Sequence, residues 1–344
     1  MASHQHNAEQ LKAIVRSFAK VSVTVLADLV ADEFVYGEIA RVSREAPVLI
    51  LKHRERTVVP GGGGNAVMNL AALGVKVFPV GVVGDDQAGE MLLAKLRESK
   101  IPTSGIARLK GHVTTTKTRI LAGMSHTSRQ QVVRVDREPA PLEQGTAVAA
   151  KLAQVARKYA DASHALLVSD YGYGAATPQL VKSIKTNDWP KQKPITLDSR
   201  YRMLEYSGVT AATPNEPEVE EALGVKIGDD SQRLLLAGKQ LMKRMRLDSL
   251  VITRGRDGMV AFDKNAKPLV IRIFGSDQVV DVTGAGDTVI ATFTASLAAG
   301  ADTATAAQLA NLAGGIVVMK RGTATVSNAE LLAAIDQFVA AKKS

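Results

Sequence analysis

The chain has 344 residues, of which 46% are hydrophobic and 22% are charged. This composition is typical of a globular protein and excludes disordered, collagen-like and coiled-coil chains. The net charge of +9 favours an anionic partner, and the absence of cysteine excludes disulfides, thiolate nucleophiles and cysteine-ligated metals.

The polar N-terminus lacks the layout of a signal peptide, and no run of about 20 apolar residues predicts a membrane span. We therefore expect a cytoplasmic protein without a membrane partner. Aromatic residues make up only 4% of the chain and its charges are dispersed, so we expect no nucleic-acid partner either.

Strand-like and helix-like segments alternate along most of the chain. An amphipathic helix is predicted over residues 8–20 and a buried strand over Val21–Leu26. The further predicted elements are strands at 75–80, 165–168 and 195–197, a helix at 89–99, a hairpin of 250–253 with 259–262, and two closing helices at 285–299 and 303–320. This alternation predicts an α/β fold whose mostly parallel sheet is covered by helices on both faces.

Two regions, residues 34–58 and 112–135, break the alternation because they are extended and half polar. We expect them to pair as a small sheet that covers a ligand cleft or another subunit. The predicted organisation is an N-terminal helical extension over 1–20 and a main domain over 21–340, with the small sheet inserted in that domain.

The strongest chemical signal is the segment Asp281-Val-Thr-Gly-Ala-Gly-Asp-Thr288, directly before an apolar helical run. Gly284, Ala285 and Gly286 form a small-residue turn at a helix start, where backbone amides and the helix dipole favour a phosphate or a developing anion. Asp287 in the first turn either favours the dipole alone or takes a proton from a hydroxyl that attacks a bound phosphate. The segment is neither a Walker A loop nor a dinucleotide fingerprint.

Three segments together resemble the ribokinase-like (PfkB) sugar kinases. The segment Asp281–Asp287 resembles the C-terminal signature of that family, and Pro60–Gly74, with four glycines before Asn65, resembles its N-terminal signature. Thr213-Pro-Asn-Glu-Pro-Glu218 matches a third marker between them. The resemblance covers residues 21–340, and it implies a three-layer α/β/α sandwich with a β-sheet lid.

Within this family the chain is most similar to the kinases of ADP-heptose synthesis, which phosphorylate D-glycero-D-manno-heptose 7-phosphate at its anomeric oxygen. The similar segments are Asp28–Gly37, Gln130–Asp136, Ser169–Gly172 and Arg321–Val326. Three segments depart from the pattern, because Tyr173 replaces a lysine, Asp198-Ser-Arg200 replaces Asp-Pro-Lys, and Gly64 replaces an alanine before Asn65. The alternatives are a kinase for ribose, fructose 6-phosphate or a nucleoside, and a non-catalytic regulatory protein on the same scaffold.

The resemblance implies an ATP-dependent kinase and a role for each matching position. Asp287 is the implied base, and the amides of Gly284, Ala285 and Gly286 stabilise the transferring group. The implied sugar-binding residues are Asp28, Asp32, Gly62, Gly63, Asn65, Arg134, Asp136, Asp170 and Arg200, the last of which we expect to bind the distal phosphate. The implied ATP-binding residues are Asn215, Thr253, Gly255, Gly258, Thr283, Gly286 and Asn311.

Magnesium is expected near Asn215 and Glu218, through water, and a monovalent cation such as K⁺ near Asp281. A homodimer through the lids is also implied. From the residues alone, Asp28 and Asp32 are equally compatible with a strand end and a cap. Asn215 and Glu218 are likewise compatible with an ordinary helix start.

Overall fold

The structure, a computed structural model, describes residues 8–123, 129–143, 145–185, 189–190, 192–275 and 280–341. The strands are β1 Ser22–Ala27, β2 Leu29–Val42, β3 Leu49–Gly62, β4 Lys76–Gly84, β5 Ile106–Leu109, β6 Thr116–Gly123, β7 Gln130–Arg137, β8 Ala165–Asp170, β9 Ile195–Ser199, β10 Ala211–Ala212, β11 Ser249–Thr253, β12 Met259–Asp263 and β13 Leu269–Ile271. The helices are α1 Ala8–Ser17, α2 Gly63–Ala72, α3 Gln87–Glu98, α4 Ala147–Asp161, α5 Pro178–Ile184, α6 Glu216–Leu223, α7 Ser231–Met245, α8 Ala285–Ala298, α9 Thr303–Val317 and α10 Asn328–Ala341.

The main sheet has nine strands within the described residues, in the order β13-β12-β11-β10-β9-β8-β1-β4-β5. β1 pairs in parallel with β8 and β4, whereas β12 runs antiparallel to both of its neighbours, β11 and β13. Every residue of β1 is buried, as the run of apolar and β-branched residues from Val23 to Ala27 predicts for a strand covered on both faces. The predicted hairpin is confirmed as β11 and β12.

Helices cover both faces of this sheet. Alternate side chains of β1 point to opposite sides, so Val23, Val25 and Ala27 pack with α1, α2, α3, α8, α9 and α10. Leu26 packs on the other side with α4, α5, α6 and α7. The architecture is therefore a three-layer α/β/α sandwich, as predicted. No helix in the described part of the chain is long and apolar enough to cross a membrane.

The end of the chain differs from the prediction, because three helices follow β13 in the part that the structure describes, where two were predicted. α8 ends at Ala298 and α9 at Val317, and α10 was not predicted. α10 buries only a narrow stripe formed by Leu331, Ala334 and Ile335, and its Asp336 forms an ion pair with Lys12 of α1. This packing against the N-terminal helix, which is remote in sequence, stabilises a helix whose own apolar pattern is weak.

The described residues also form a second sheet of four strands, in the order β3-β2-β6-β7, which is referred to below as the lid. β2 pairs antiparallel with β3 and parallel with β6, and β6 pairs antiparallel with β7. The lid begins at Leu29 and its first hairpin ends at Gly62, so it extends beyond the predicted 34–58 at both ends. Since β2 follows β1 directly and β3 leads directly into α2, the base of the lid lies beside the carboxyl end of β1. Residues 124–128 of the second predicted lid segment lie outside the described residues.

Candidate active site

The first turn of α8 contains the residues of the strongest sequence motif. Gly284 caps the helix with a left-handed backbone (φ 79°), and a side chain there would collide with the amide of Asn65. Ala285 and Gly286 follow, and the first amides of a helix have no partner within the helix. Asp287 is buried in this turn, with a relative exposure of 5%. A buried carboxylate therefore lies beside amides that are suited to bind an anion.

Two neutral side chains hold the Asp287 carboxylate. Asn65 donates its Nδ2 amide to Oδ2 at 3.0 Å, and the Tyr171 hydroxyl donates to Oδ1 at 2.9 Å. Burial raises the pKa of Asp287 to about 7, although both hydrogen bonds lower it, and the charge of Asp32 raises it further. A carboxylate with such a pKa can both accept and release a proton near neutral pH.

Asn65 is itself held in one orientation. Its Oδ1 accepts a hydrogen bond from Asn69 Nδ2 at 3.1 Å, one helical turn later, so its Nδ2 amide must face Asp287 and Gly284. The Thr288 hydroxyl in turn donates to Asn69 Oδ1 at 3.1 Å. This network between α2 and α8 fixes the geometry around the carboxylate of Asp287.

Asp32 lies at the base of the lid and is buried. Its Oδ1 accepts from Arg119 at 2.6 Å, and its Oδ2 accepts from the Thr323 hydroxyl at 3.3 Å. Gly61 on the paired strand β3 leaves the space that the Asp32 carboxylate occupies. Asp32 therefore connects the lid to the segment that follows α9. It lies close enough to Asp287 for its charge to raise the pKa of that carboxyl group.

A cavity of about 810 Å³ lies between the lid and the loops around Asp281 and Thr323. Aromatic side chains of β2, Phe34 and Tyr36, form part of its wall. Among the described residues that line it, the cationic side chains are Arg129, stacked on the Tyr36 ring at 5.2 Å, and Arg321. This lid cavity is large enough for a small polar ligand and carries two guanidinium groups.

The predicted sugar-binding residues Arg134 and Asp136 lie on β7, the edge strand of the lid. Arg134 donates two hydrogen bonds to Asp136, at 2.8 and 2.6 Å, and Lys117 is 3.5 Å from the same carboxylate. Arg134 lowers the pKa of Asp136 through this pairing. Both side chains are therefore present at the lid but are bonded to each other. Gly62 and Gly63, also predicted, start α2, where Gly63 packs on Ala27 at the end of β1.

Two predicted sugar contacts need correction. Asp28 is completely buried, and its carboxylate accepts four backbone amides of the loop that follows β8. Asp170 is also buried and accepts from Arg202, Ser199, Tyr206 and the Gly172 amide. The full hydrogen-bond sets of both carboxylates lie within the protein, so neither is available to a sugar hydroxyl. Sequence identifies a carboxylate at a strand end but not the direction in which it points.

The prediction for Arg200 also needs correction. Arg200 stacks on Tyr201 at 5.4 Å and lines a separate cavity of about 270 Å³ together with Glu218 and Glu221. It is not among the residues that line the lid cavity. The turn after β9 therefore directs Arg200 towards α6, where its charge offsets part of the rise that burial causes in the pKa of Glu218. The geometry does not support a contact between Arg200 and a distal phosphate under the lid.

The predicted nucleotide residues lie mostly around one narrow, largely apolar cavity of about 180 Å³. Its wall includes the predicted residues Thr253, Gly255, Gly258, Gly286 and Asn311, together with apolar side chains of α8. A flat aromatic ring fits such a slot better than a sugar does. The predicted Thr283 lies on the adjoining turn, where its amide donates to Asp281.

Asn215 and Glu218 form a complete capping box at the start of α6. Asn215 Oδ1 accepts from the Glu218 amide at 2.9 Å, and Glu218 accepts from the Asn215 amide at 2.9 Å. Burial raises the pKa of Glu218, and burial with the charges of Glu218, Asp287 and Asp170 raises the pKa of Asp198 well above its usual value. These carboxylates repel one another, and a divalent cation would relieve that repulsion. Among the described residues, no three His, Cys, Asp or Glu side chains are arranged to ligate a metal directly.

Asp281 connects two loops. Its Oδ1 accepts from the Thr283 amide and its Oδ2 from the Gly322 amide, both at 2.9 Å. Burial would raise the pKa of Asp281, but these hydrogen bonds and the charge of Arg119 lower it overall. Asp281 is therefore an anion held by backbone amides, beside the turn that leads into α8.

Four residues that the structure brings to the site had no role predicted from the sequence: Asn69, Tyr171, Asp198 and Thr323. Asn69 could have been found, since it lies four residues after Asn65 on a predicted helix and therefore on the same face. Tyr171 directly follows β8 and Asp198 is the second-last residue of β9, and site residues of parallel sheets collect at such carboxyl ends. Nothing in the sequence indicates that Arg119 and Thr323 meet at Asp32.

A three-layer α/β/α sandwich, a lid and a buried carboxylate at the glycine-capped start of a helix are together typical of a carbohydrate kinase. The chain belongs to the pfkB family of carbohydrate kinases, whose family model matches residues 29–330. It is 38% identical over 328 residues to Bifunctional protein HldE of Desulfatibacillum aliphaticivorans, and the matched residues cover 95% of this chain and 65% of that protein. It is 37% identical over 330 residues to Bifunctional protein HldE of Mesorhizobium japonicum, covering 95% of this chain and 64% of that protein. The chain thus spans slightly less than two thirds of these relatives.

Solved structures share the fold at low sequence identity. Arabidopsis thaliana ribokinase, complexed with ribose and ATP, superposes with a TM-score of 0.68 at 17% identity, over 92% of this chain and 98% of that one. Escherichia coli phosphofructokinase-2, in complex with substrates and products, gives a TM-score of 0.71 at 16% identity, over 93% and 99% of the two chains. These similarities confirm the ribokinase-like fold.

Proposed function

We propose that this carbohydrate kinase transfers the γ-phosphate of ATP to the anomeric hydroxyl of D-glycero-D-manno-heptose 7-phosphate. The observation on which the chemistry depends is the buried Asp287 carboxylate, held by Asn65 and Tyr171 beside the Gly284–Gly286 turn. The substrate assignment depends on the similarity of the lid and strand-end segments to heptose 7-phosphate kinases. The identity of 38% over 95% of the chain to an HldE protein supports it.

In this proposal Asp287 acts as the general base. It accepts the proton of the sugar hydroxyl while the hydroxyl oxygen forms a bond to the γ-phosphorus and the bond from that phosphorus to the β–γ bridging oxygen breaks, releasing ADP. The amides of Gly284, Ala285 and Gly286 stabilise the negative charge on the transferring group. The pKa of about 7 allows Asp287 to hold this proton and then release it.

The narrow cavity beside α8 would receive the adenine, with Thr253, Gly255, Gly258 and Asn311 in its wall. Asn311 donates its side-chain amide to the carbonyl of Arg272 at 2.9 Å, which fixes this wall. Thr283 and Gly286 would then lie along the phosphates. This assignment leaves the other side of Asp287, towards Asp32 and the lid, for the sugar.

Magnesium fits the carboxylates near the proposed phosphate position. When bound, Mg²⁺ neutralises charge on the phosphates and keeps most of its waters. Glu218 and Asn215 would hold such waters from the start of α6, and Asp198 adds a third oxygen donor on the same side, consistent with its raised pKa. We also propose a K⁺-type cation at the loop that begins at Asp281.

The sugar would lie under the lid, near Asp32, Asn65, Gly62 and Gly63, with Arg134 and Asp136 at the edge. Arg129 and Arg321 are the cationic side chains of the lid cavity. Guanidinium groups bind phosphate in bidentate fashion, so we assign the distal phosphate to these two arginines instead of Arg200.

A homodimer through the lids is part of the proposal. β7 exposes Val132, Val133 and Val135, with relative exposures of 46%, 45% and 54%. An exposed edge strand with apolar side chains is a typical surface for pairing with a second copy. We further propose that the enzyme works in the cytoplasm, where ATP is available.

Release of ADP, measured over a panel of sugars and sugar phosphates, tests the function. We expect the highest kcat/KM with the heptose 7-phosphate, and loss of ADP release in Asp287→Asn with every sugar. Faster turnover of ribose, fructose 6-phosphate or a nucleoside would replace the substrate assignment with that sugar. Absence of ADP release throughout would favour a regulatory role.

A further inference from the structure

The side chain of Asp28 organises the loop that follows β8. Its Oδ2 accepts the amides of Tyr171 and Tyr173, both at 2.9 Å, and its Oδ1 accepts those of Ala175 and Ala176, at 2.8 and 3.1 Å. Four amides directed at one buried carboxylate replace the water that it loses on folding. No neutral side chain of the same size can accept all four bonds.

Hydrogen bonds from several groups hold this loop. It contains Gly172 and Gly174, both with positive φ (85° and 94°), and glycines allow many backbone conformations in an unconstrained loop. Besides the four bonds to Asp28, the Gly172 amide donates to Asp170 at 2.9 Å, and the Leu142 amide donates to the Tyr173 carbonyl at 3.1 Å. The Ala176 carbonyl accepts from Arg202 and Tyr206. The carboxylate of Asp28 is therefore a common acceptor for four of the six residues 171–176, and it ties the two halves of the loop together.

The functional group that this loop positions is the Tyr171 hydroxyl. It donates to Oδ1 of Asp287 at 2.9 Å, and Tyr171 keeps its proton, because burial and the charge of Asp287 raise its pKa well above the usual value. A donor that bonds to the charged carboxylate lowers the pKa of that carboxylate. The position of the loop thus controls how readily Asp287 accepts a proton.

We propose that Asp28 is a positioning residue of the kinase, which never touches the sugar and acts by fixing the loop so that Tyr171 bonds to Asp287. This rests on the proposed role of Asp287 as the base. Asp28 also joins three elements, since its amide donates to the Ser169 carbonyl and its carbonyl accepts from the Gly63 amide. It therefore aligns the loop with the start of α2, which presents Asn65 to the other oxygen of Asp287.

The charged and titratable groups around Asp28 are Asp170, Arg202 and Tyr206. Burial and the charge of Asp170 raise the pKa of Asp28 to about 6, while the loop amides lower it. Arg202 is paired with Asp170 at 2.6 Å, which limits the repulsion between the two carboxylates. Asp28 is consequently mostly ionised above pH 6, where its four bonds to the loop are strongest.

A double-mutant cycle tests the proposal on the full chain. Tyr171→Phe removes only the hydroxyl, and we expect it to move the acid limb of the kcat/KM profile up by about one pH unit, the effect of losing a hydrogen bond to a charged group. Asp28→Asn places a donor NH₂ group against two loop amides, which then lose their acceptor. We therefore expect a similar upward shift of the acid limb. The double variant should shift no further than Tyr171→Phe alone, because both act through one bond.

An acid limb that stays in the wild-type position in Asp28→Asn, or shifts that add in the double variant, would overturn the proposal. Asp230→Asn is the matched control, since Asp230 also accepts two backbone amides but caps the remote helix α7. It should leave the acid limb unchanged. If Asp287→Asn keeps full activity, it is the proposed base role that fails, which distinguishes the two ideas.

Should Asp28→Asn fail to fold, the wild-type protein still gives a test. Amide hydrogen exchange of the 170–177 segment, corrected for the intrinsic pH dependence of exchange, should speed up several-fold between pH 7 and pH 5 as Asp28 is protonated. The segment over α9 serves as an internal reference. Equal protection of the 170–177 segment at both pH values would overturn the dependence of the loop on the Asp28 carboxylate.

Discussion

Asn65 donates its side-chain amide to Oδ2 of Asp287 across 3.0 Å, and so joins the first turns of α2 and α8. The two residues are 222 positions apart and belong to separate sequence signatures. They meet because α2 starts at the carboxyl end of β1, where the Gly63 amide donates to the Asp28 carbonyl, and α8 packs against α2 in the same layer. One asparagine therefore links the glycine-rich turn under the lid to the proposed base.

Replacement of Asp287 by Asn should lower kcat by roughly 10²–10⁴-fold, the usual contribution of a positioned base. The amide cannot accept the proton of the sugar hydroxyl. Burial raises the pKa of Asp287, so the ionised form is unfavourable in the folded state and the neutral Asn should not lower the melting temperature at pH 8. Turnover close to wild type in the purified, folded variant would remove Asp287 from the chemistry.

The dependence of kcat/KM on pH should show an acid limb near pH 7. Asp287 must be unprotonated to accept a proton, and burial raises its pKa to about 7, so activity should fall as the pH drops through that value. The negative charge of Asp32 contributes to this raised pKa. Asp32→Asn should therefore move the limb to lower pH while it also weakens sugar binding. A limb near pH 4 in wild type would contradict this assignment.

The architecture was accessible from sequence because strands and helices alternate with distinct apolar periods. The meeting of Asn65 and Asp287 was accessible only through the family signatures, since no periodicity relates residues that are 222 positions apart. The hydrogen bonds that orient Asn65 and Asp287 in turn were harder to predict from the sequence. The Asn69–Asn65 bond follows from helical spacing, whereas the Tyr171–Asp287 bond depends on a loop held by Asp28.

The errors share a physical cause. The residue type and the strand end are visible for Asp28, but its partners are loop amides 143 to 148 positions later in the chain. Arg200 is a cation after a strand, as predicted, yet the turn after β9 directs it to Glu218. Side-chain direction after a strand end depends on the tertiary packing of the following turn, which local sequence does not determine.

Asn215→Ala and Glu218→Ala should each raise the Mg²⁺ concentration needed for half-maximal activity. The two side chains cap α6 through reciprocal bonds at 2.9 Å, so either change also costs about 1 kcal/mol of local stability. Asp230→Ala provides the matched control, because it removes the N-cap of α7 away from the site. Magnesium titrations that overlay those of wild type would exclude a metal role for Asn215 and Glu218.

The lid should become less mobile when sugar and nucleotide bind together. Every residue of β7 is exposed, and a strand with so few buried contacts opens easily. Amide exchange of peptides from residues 34–58 and 112–135 should therefore be slower in the ternary complex than in the free protein. Peptides from the buried helix α9 should not change. Equal exchange of the lid in both states would indicate a fixed interface instead of a moving lid.

The last prediction concerns the distal phosphate of the sugar. Arg129 and Arg321 line the lid cavity, whereas Arg200 lies in a separate cavity beside Glu218. Losing a charge-assisted contact costs about 1.5–3 kcal/mol, so Arg129→Ala and Arg321→Ala should raise KM for the heptose 7-phosphate by about 10- to 150-fold. KM for ATP should stay nearly unchanged in both variants.

Arg200→Ala is the internal control for this prediction, and we expect it to leave KM for the sugar phosphate within about threefold of wild type. The unphosphorylated heptose is the second control, because its KM should not respond to loss of Arg129 or Arg321. If Arg200→Ala raises KM for the sugar phosphate strongly while Arg129→Ala and Arg321→Ala change it little, Arg200 is the residue that binds the distal phosphate. A wild-type preference for the neutral heptose would exclude the sugar phosphate as the substrate and leave the carbohydrate-kinase assignment intact.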